Sequence, residues 1–143
     1  MNRFRFDLRS KKSFFVGALL CICACECEGR SVATRKPQGL SIAQWGERLF
    51  KQQQCATCHS LDGRLCAGGP LNDLAGTERT LTDGRLVTFD ADYIRESIRD
   101  PMAKVVKGKL PQMPAIYAAC LNDAQLEALV AFILSANTKK VRH

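Results

Sequence analysis

Five consecutive residues constrain this chain more than anything else in it. In Cys55-Ala56-Thr57-Cys58-His59 two thiols stand three positions apart and an imidazole follows directly. That spacing is the signature of covalent haem attachment. Two thiols on one turn of chain can reach the two vinyl groups of a haem, and the next residue then aims its imidazole at the iron. Other uses of a C-x-x-C pair need other surroundings. A thioredoxin-like pair belongs to a βαβ unit, and no such unit is readable around residue 55. A structural zinc site needs a second ligand pair, and Cys66 and Cys120 are not spaced as one. The motif also limits the fold. A domain of ~100 residues buries only a modest core, so a bound haem would form much of the interior.

A haem held this way needs a second axial ligand from its other face, C-terminal to the motif. Of the three methionines, Met1 opens the chain, Met102 follows Pro101, and Met113 sits in Leu110-Pro111-Gln112-Met113-Pro114. Two flanking prolines stiffen the backbone and lower the entropy lost in fixing a loop. Met113 is therefore the expected ligand, with Met102 and the tail residue His143 as lesser candidates. Thioether ligation raises the reduction potential relative to two histidines.

Helical periodicity brackets these residues. Ile42, Trp45, Leu49 and Phe50 form an apolar stripe that predicts a helix from Ser41 to Gln53, with Ser41 as N-cap. Gly46 lies on the same side, where a missing side chain permits close helix contact. Residues 60–78 are rich in Gly, Asp and Asn and read as loop. Within Arg79–Phe89 the pair Asp83-Gly84 predicts a hairpin with a type I′ turn. Asp90 then caps a helix over Ala91–Arg99, which stops before Asp100-Pro101. Residues 102–117 contain Gly108, Pro111 and Pro114 and should be irregular. Asn122, with Gln125 three residues on, opens a last helix to Ala136, and the tail from Asn137 should fray. The fold class is thus all-α with a short β-hairpin insertion.

The ends of the chain carry its basic charge. The net charge is +7, yet residues 41–138 hold ten Lys and Arg against eleven Asp and Glu. That balance excludes a nucleic-acid surface, which needs cations clustered across the folded domain. Residues 1–12 are basic and 13–24 are uninterrupted apolar, the layout of a secretory signal. The apolar run has 12 residues, short of the ~20 a spanning helix needs. Ile22-Cys23-Ala24-Cys25 is similar to a bacterial lipoprotein signal, which would make Cys25 an acylated first residue. Simple cleavage nearby and an uncleaved anchor are the alternatives. Each places the domain across the membrane, on its periplasmic or other extracytoplasmic face, where disulfides persist. The expected organisation is a signal over 1–25, a flexible linker over 26–40, one domain over 41–137 and a basic tail over 138–143.

Beyond the motif, the residues resemble class I cytochromes c, and most closely the cytochrome c domain fused to subunit II of some haem-copper oxidases. The matching stretches are Gly46-Glu47-Arg48-Leu49-Phe50, Cys55–His59, Gly69-Pro70-Leu71, Arg79-Thr80-Leu81-Thr82-Asp83-Gly84 and Asp92–Ile98. They continue through Asp100-Pro101, Ala103-Lys104-Val105-Val106 and Pro111-Gln112-Met113-Pro114 into the last helix. The resemblance implies a small helical fold around one covalent haem c, with His59 and Met113 as axial ligands of its iron. It implies that the Pro70 carbonyl accepts a hydrogen bond from the other His59 nitrogen. It also implies that Gly46 and Phe50 pack on the last helix, and that Tyr93 and Arg95 contact the haem propionates. Cys66 and Cys120 are not required by the family pattern and are candidates for a disulfide near the haem.

The function expected is electron transfer rather than catalysis, by an exported, membrane-anchored carrier in a respiratory chain near a terminal oxidase. Lys104, Lys107 and Lys109 would form a basic rim that steers acidic redox partners. A cytochrome subunit of a periplasmic dehydrogenase is the nearest alternative. A haem enzyme or ligand sensor with an open iron position is the alternative of a different class.

Overall fold

The computed structural model describes residues 33–137. The expected signal over 1–25, part of the linker, the basic tail and the candidate ligand His143 lie outside the described residues. Helix α1 spans Ile42–Gln52 and a short 3-10 turn spans Cys55–Thr57. Strands β1 (Glu78–Thr80) and β2 (Leu86–Thr88) form the hairpin, and helices α2 (Ala91–Arg99), α3 (Tyr117–Cys120) and α4 (Asp123–Asn137) follow.

Helix starts obey local chemistry. Ser41 Oγ accepts from the Gln44 N–H at 3.2 Å while Gln44 Oε1 accepts from the Ser41 N–H at 2.8 Å, a reciprocal capping box. Asp90 caps α2 by accepting from the Tyr93 N–H at 2.8 Å. Asn122 and Gln125 cap α4 by the same exchange, each bond 2.9 Å. The core forms where α1 crosses α4. A Cβ on Gly46 would lie 1.8 Å from the Ala128 carbonyl oxygen, so only glycine allows this approach. One turn on, Phe50 meets Phe132 edge to face at 5.4 Å. Helix α4 is buried nearly all round, through Leu126, Ala128, Leu129, Val130, Phe132 and Ile133, as suits the central helix of a small core.

Four expectations need correction. The Asp83-Gly84 turn is not type I′, because only Gly84 has positive φ, at 87°. The Gly84 N–H donates to Leu81 O at 3.1 Å and the Leu81 N–H to Arg85 O at 2.8 Å. This is a three-residue loop with glycine in the left-handed position, which relieves Asp83 of that conformation. Residues 102–116 are irregular as expected, but the short helix α3, which was not expected, begins at Tyr117, the last residue of the expected stretch. Asn137 is not frayed. Its Oδ1 accepts from the Leu74 N–H at 2.6 Å and its Nδ2 donates to Leu71 O at 3.0 Å, so α4 ends in a clasp on the loop at 71–75. The described part of the linker is also held. Gln125, the buried polar residue of the core, donates to Ala33 O at 3.1 Å, and Asn122 Nδ2 donates to Thr34 O at 2.9 Å.

Candidate haem site

Helix α1 ends at the attachment motif for a local reason. Gln54 takes the left-handed conformation, φ 59°, and turns the chain out of the helix into the Cys55–Thr57 turn. Within that turn the Cys58 and His59 N–H groups both donate to Cys55 O, at 3.2 and 3.0 Å. The two sulfurs and the imidazole are thereby fixed on one compact piece of chain. Cys55 is half-buried and Cys58 exposed, and neither is in a disulfide. Burial pushes the Cys55 thiol up to about 11, so it stays protonated at neutral pH. A thioether, like the protonated thiol, carries no charge, so it suits the same buried position.

His59 Nδ1 lies 3.2 Å from the Gly69 carbonyl oxygen. A carbonyl only accepts, so Nδ1 carries the proton and Nε2 keeps the lone pair a metal takes. Burial lowers the His59 pKa, the Gly69 hydrogen bond opposes that, and Lys109 adds to it. The acceptor expected from the resemblance was the Pro70 carbonyl. It is Gly69 instead, because φ of 83° at Gly69 turns its own carbonyl toward the ring. Gly68 leaves room for that ring, since a Cβ there would lie 2.5 Å from His59 Cε1.

A cavity of about 350 Å³ opens beside the imidazole. Cys55, His59, Pro70, Tyr93 and Met113 line it, together with an apolar wall that includes Leu74, Phe89, Ile94, Ile98 and Leu129. Met113 is half-buried and packs on the core, whereas Met102 is 58% exposed and lies outside the lining. The cavity thus joins an imidazole and a thioether some fifty residues apart, inside an apolar box, which fits a covalently held haem. A buried hydroxyl in the lining, that of Ser97, has no partner, which also fits a group that arrives with the cofactor.

Two expected contacts are not in place. Arg95 faces away from the cavity and grips Glu127 through Nε and Nη2, at 2.6 and 2.9 Å, with Asp92 beside it. The carboxylates raise its pKa and the guanidinium lowers that of Glu127. On α2 the positions 94, 97 and 98 face inward, which leaves 95 on the outer side. Cys66 is a free thiol and Cys120 is disulfide-bonded, so the two do not pair with each other. The turn holding Cys66 is committed to the His59 side, through the Gly69 N–H to Cys66 O bond at 2.9 Å. Reading the sequence missed Arg79, Ser97 and Tyr117, which line the cavity. Of the lining cations, Lys104 pairs with Glu96, whereas Arg79 and Lys109 make no ion pair with a described residue and so suit a haem carboxylate. The signal for Arg79 was its place in the hairpin stretch, masked by equally plausible cations nearby. Tyr117 donates to Gln53 O at 3.0 Å and so ties the far side of the cavity to the end of α1.

A site so built belongs to proteins that hold haem through the chain itself. The family model Cytochrome c matches residues 43–137, and the chain belongs to the cytochrome c family. It is 31% identical over 116 residues to "Cytochrome c2" of Blastochloris viridis, an alignment covering 73% of this chain and 86% of that protein. It is 29% identical over 108 residues to "Cytochrome c oxidase subunit 2" of Alkalihalophilus pseudofirmus, covering 76% of this chain but 29% of that subunit. The chain therefore spans less than a third of the oxidase subunit's length. The fold is that of a class I c-type cytochrome, and its cofactor is one covalently attached haem c with its iron.

Proposed function

We propose that this chain is an exported electron carrier, held at the outer face of a membrane, with His59 and Met113 as the axial ligands of its haem iron. Carrier function is common to the family. One observation carries the ligand assignment: His59 and Met113 line the same apolar cavity as Cys55. Haem iron supplies one-electron chemistry, ferric to ferrous and back. The chain does the rest. Cys55 and Cys58 keep the group in place, the Gly69 carbonyl fixes the imidazole, and the apolar wall limits access of water. An unchanged ligand pair in both oxidation states keeps the reorganisation on transfer small.

Electrons would leave at the cavity mouth. Leu65 and Leu110 line it and are 92% and 71% exposed. Arg79, Lys104 and Lys109 also line the cavity, and no Asp or Glu does. Lys104 is paired with Glu96, so of the expected basic rim Lys107 and Lys109 are the available cations. This arrangement suits a redox partner with an acidic patch. The apolar leader and the likeness to an oxidase subunit favour anchoring and a place near a terminal oxidase. No helix among the described residues is long and apolar enough to cross a membrane, so an anchor would come from the N-terminal segment.

The deciding experiment is the optical spectrum of the holoprotein. Ferric protein should show the weak far-red absorption of a thioether–iron bond, and Met113→Ala should abolish it while the haem stays covalently bound. A ferrous protein that binds carbon monoxide as readily before the substitution as after it would overturn the assignment.

A further inference from the structure

One sulfur in this protein calls for a partner. Cys120 is disulfide-bonded, whereas Cys55, Cys58 and Cys66 are not. The sequence holds eight cysteines, and those outside the described residues are Cys21, Cys23, Cys25 and Cys27. The partner of Cys120 therefore belongs to the N-terminal segment.

A second observation, independent of the sulfurs, leads that segment to the same place. Gln125 Nε2 donates to Ala33 O at 3.1 Å, and Asn122 Nδ2 donates to Thr34 O at 2.9 Å. The chain that precedes the domain is thus held at the start of α4. Cys120 ends α3 two residues before Asn122, and two residues span at most ~7 Å. Cys27 lies six residues before Ala33, and six residues reach ~20 Å when extended. A sulfur at position 27 can come to Cys120 with chain to spare.

We propose that Cys27 is the partner of Cys120, and that this bridge staples the membrane tether to the thioether side of the haem cavity. The choice of Cys27 rests on the exported, lipid-anchored reading. An acylated Cys25 has no thiol to offer, and Cys21 and Cys23 precede it in the removed signal. Cys27 is also nearest to the pinned Ala33, so its bridge closes the shortest loop. Two thiols lose two protons and two electrons as the S–S bond forms. A dithiol–disulfide exchange protein outside the cytoplasm takes the electrons, and its own disulfide leaves as two thiols.

The bridge acts on both ends of what it joins. Tyr117 and Cys120 open and close the same short helix. Tyr117 lines the haem cavity and donates to Gln53 O at 3.0 Å. With Cys120 bonded to Cys27, the segment that follows Met113 is braced at both ends of α3. At the other end, an anchor at Cys25 stands two residues from a fixed point of the domain. The expected linker then ceases to be a free tether, and α3 is kept close to the membrane surface.

The test takes the full-length holoprotein from a host that exports it. The protein is alkylated without reduction, digested and mapped by mass spectrometry. A Cys27 peptide should appear joined to the Cys120 peptide, two hydrogens lighter than the pair, and a phosphine should separate them. Fragmentation of the joined peptide distinguishes Cys27 from Cys21, Cys23 and Cys25. In Cys27→Ser the Cys120 thiol should become alkylated, and the far-red band should lose intensity while the haem stays covalently bound. Alkylated Cys120 in the parent overturns the bridge, as does Cys120 joined to Cys66 or to a second copy of the chain. A bond to Cys21, Cys23 or Cys25 overturns the choice of Cys27. A mapped bridge with an unchanged band in Cys27→Ser overturns the brace. Failure of the underlying reading shows differently, as a chain recovered in the cytoplasmic fraction with its leader intact. A parent without the band overturns the Met113 assignment, and the mapped bond still decides the bridge.

Discussion

The two faces of the haem cavity are held in different ways. On the His59 side the restraints are local, apart from the Asn137 clasp on the loop at 71–75. The His59 N–H reaches back to Cys55 O, the Gly68 N–H to Cys58 O at 2.7 Å, and the Leu71 N–H to Ser60 O at 2.9 Å. On the Met113 side the restraints come from afar. The Thr82 N–H donates to Val105 O and the Lys107 N–H to Thr80 O, both at 2.8 Å, while Leu81 bridges Val106. Strand β1 thus carries β2 on one edge and the start of the Met loop on the other. Around Met113 itself the chain has little more than a Gln112 N–H to Leu110 O bond at 2.9 Å. One face is a preformed grip, and the other is a sparsely hydrogen-bonded strap pinned at its ends. Covalent attachment belongs on the grip. A weak thioether bond, as proposed for Met113, would suit the strap.

That contrast breaks most sharply at the thiols. Replacing Cys55 and Cys58 together with serine should abolish covalent haem, read as loss of haem stain on a denaturing gel. Met113→Ala should leave the stain intact. Next in size is Leu81→Ala. Leu81 is 1% exposed, and its truncation should cost about 2–5 kcal/mol in denaturant unfolding. If the hairpin pins the strap, this variant should also weaken the far-red band, whereas an equal loss of stability with an intact band would separate the hairpin from the Met loop. Gly68→Ala strikes the grip instead. Its Cβ would meet His59 Cε1 at 2.5 Å, and overpacking of this kind costs about 1–3 kcal/mol. It should shift the haem bands while sparing the Lys107 N–H to Thr80 O pairing, which amide exchange can follow.

The smallest effect should come from Arg95, whose pair with Glu127 joins α2 to α4 outside the cavity lining. The guanidinium holds the Glu127 carboxyl below its ordinary value. A depressed folded-state pKa means the stabilisation is present above the unfolded carboxylate pKa of about 4.3 and fades as pH falls through the lower folded value. Glu127→Gln should therefore lose a little stability at neutral pH and low salt and nothing in strong acid. Both partners are more than a third exposed, so added salt should erase the difference. A loss that persists in acid would show that the side chain matters through packing.

Much of this protein was legible in one dimension. The attachment motif, the caps at Ser41, Asp90 and Asn122, and the glycine at the α1–α4 crossing all act within one or two helical turns or through simple sterics, so residue order decides them. Two prolines likewise mark the loop of Met113, which the fold brings to the cavity. What residue order left open was direction. Gly69 rather than Pro70 serves His59 because of one backbone torsion. Arg95 points outward and Arg79 inward because α2 and β1 settle on the core in one particular rotation. Cys66 and Cys120 stay apart because their segments are committed to different neighbours, and Ser97 becomes a buried hydroxyl because α2 turns it to the cavity. Local hydrogen bonds and side-chain volume fix what elements form and what cofactor they can hold. Which face each element shows to that cofactor is set by packing of distant segments, and tertiary structure alone decides it.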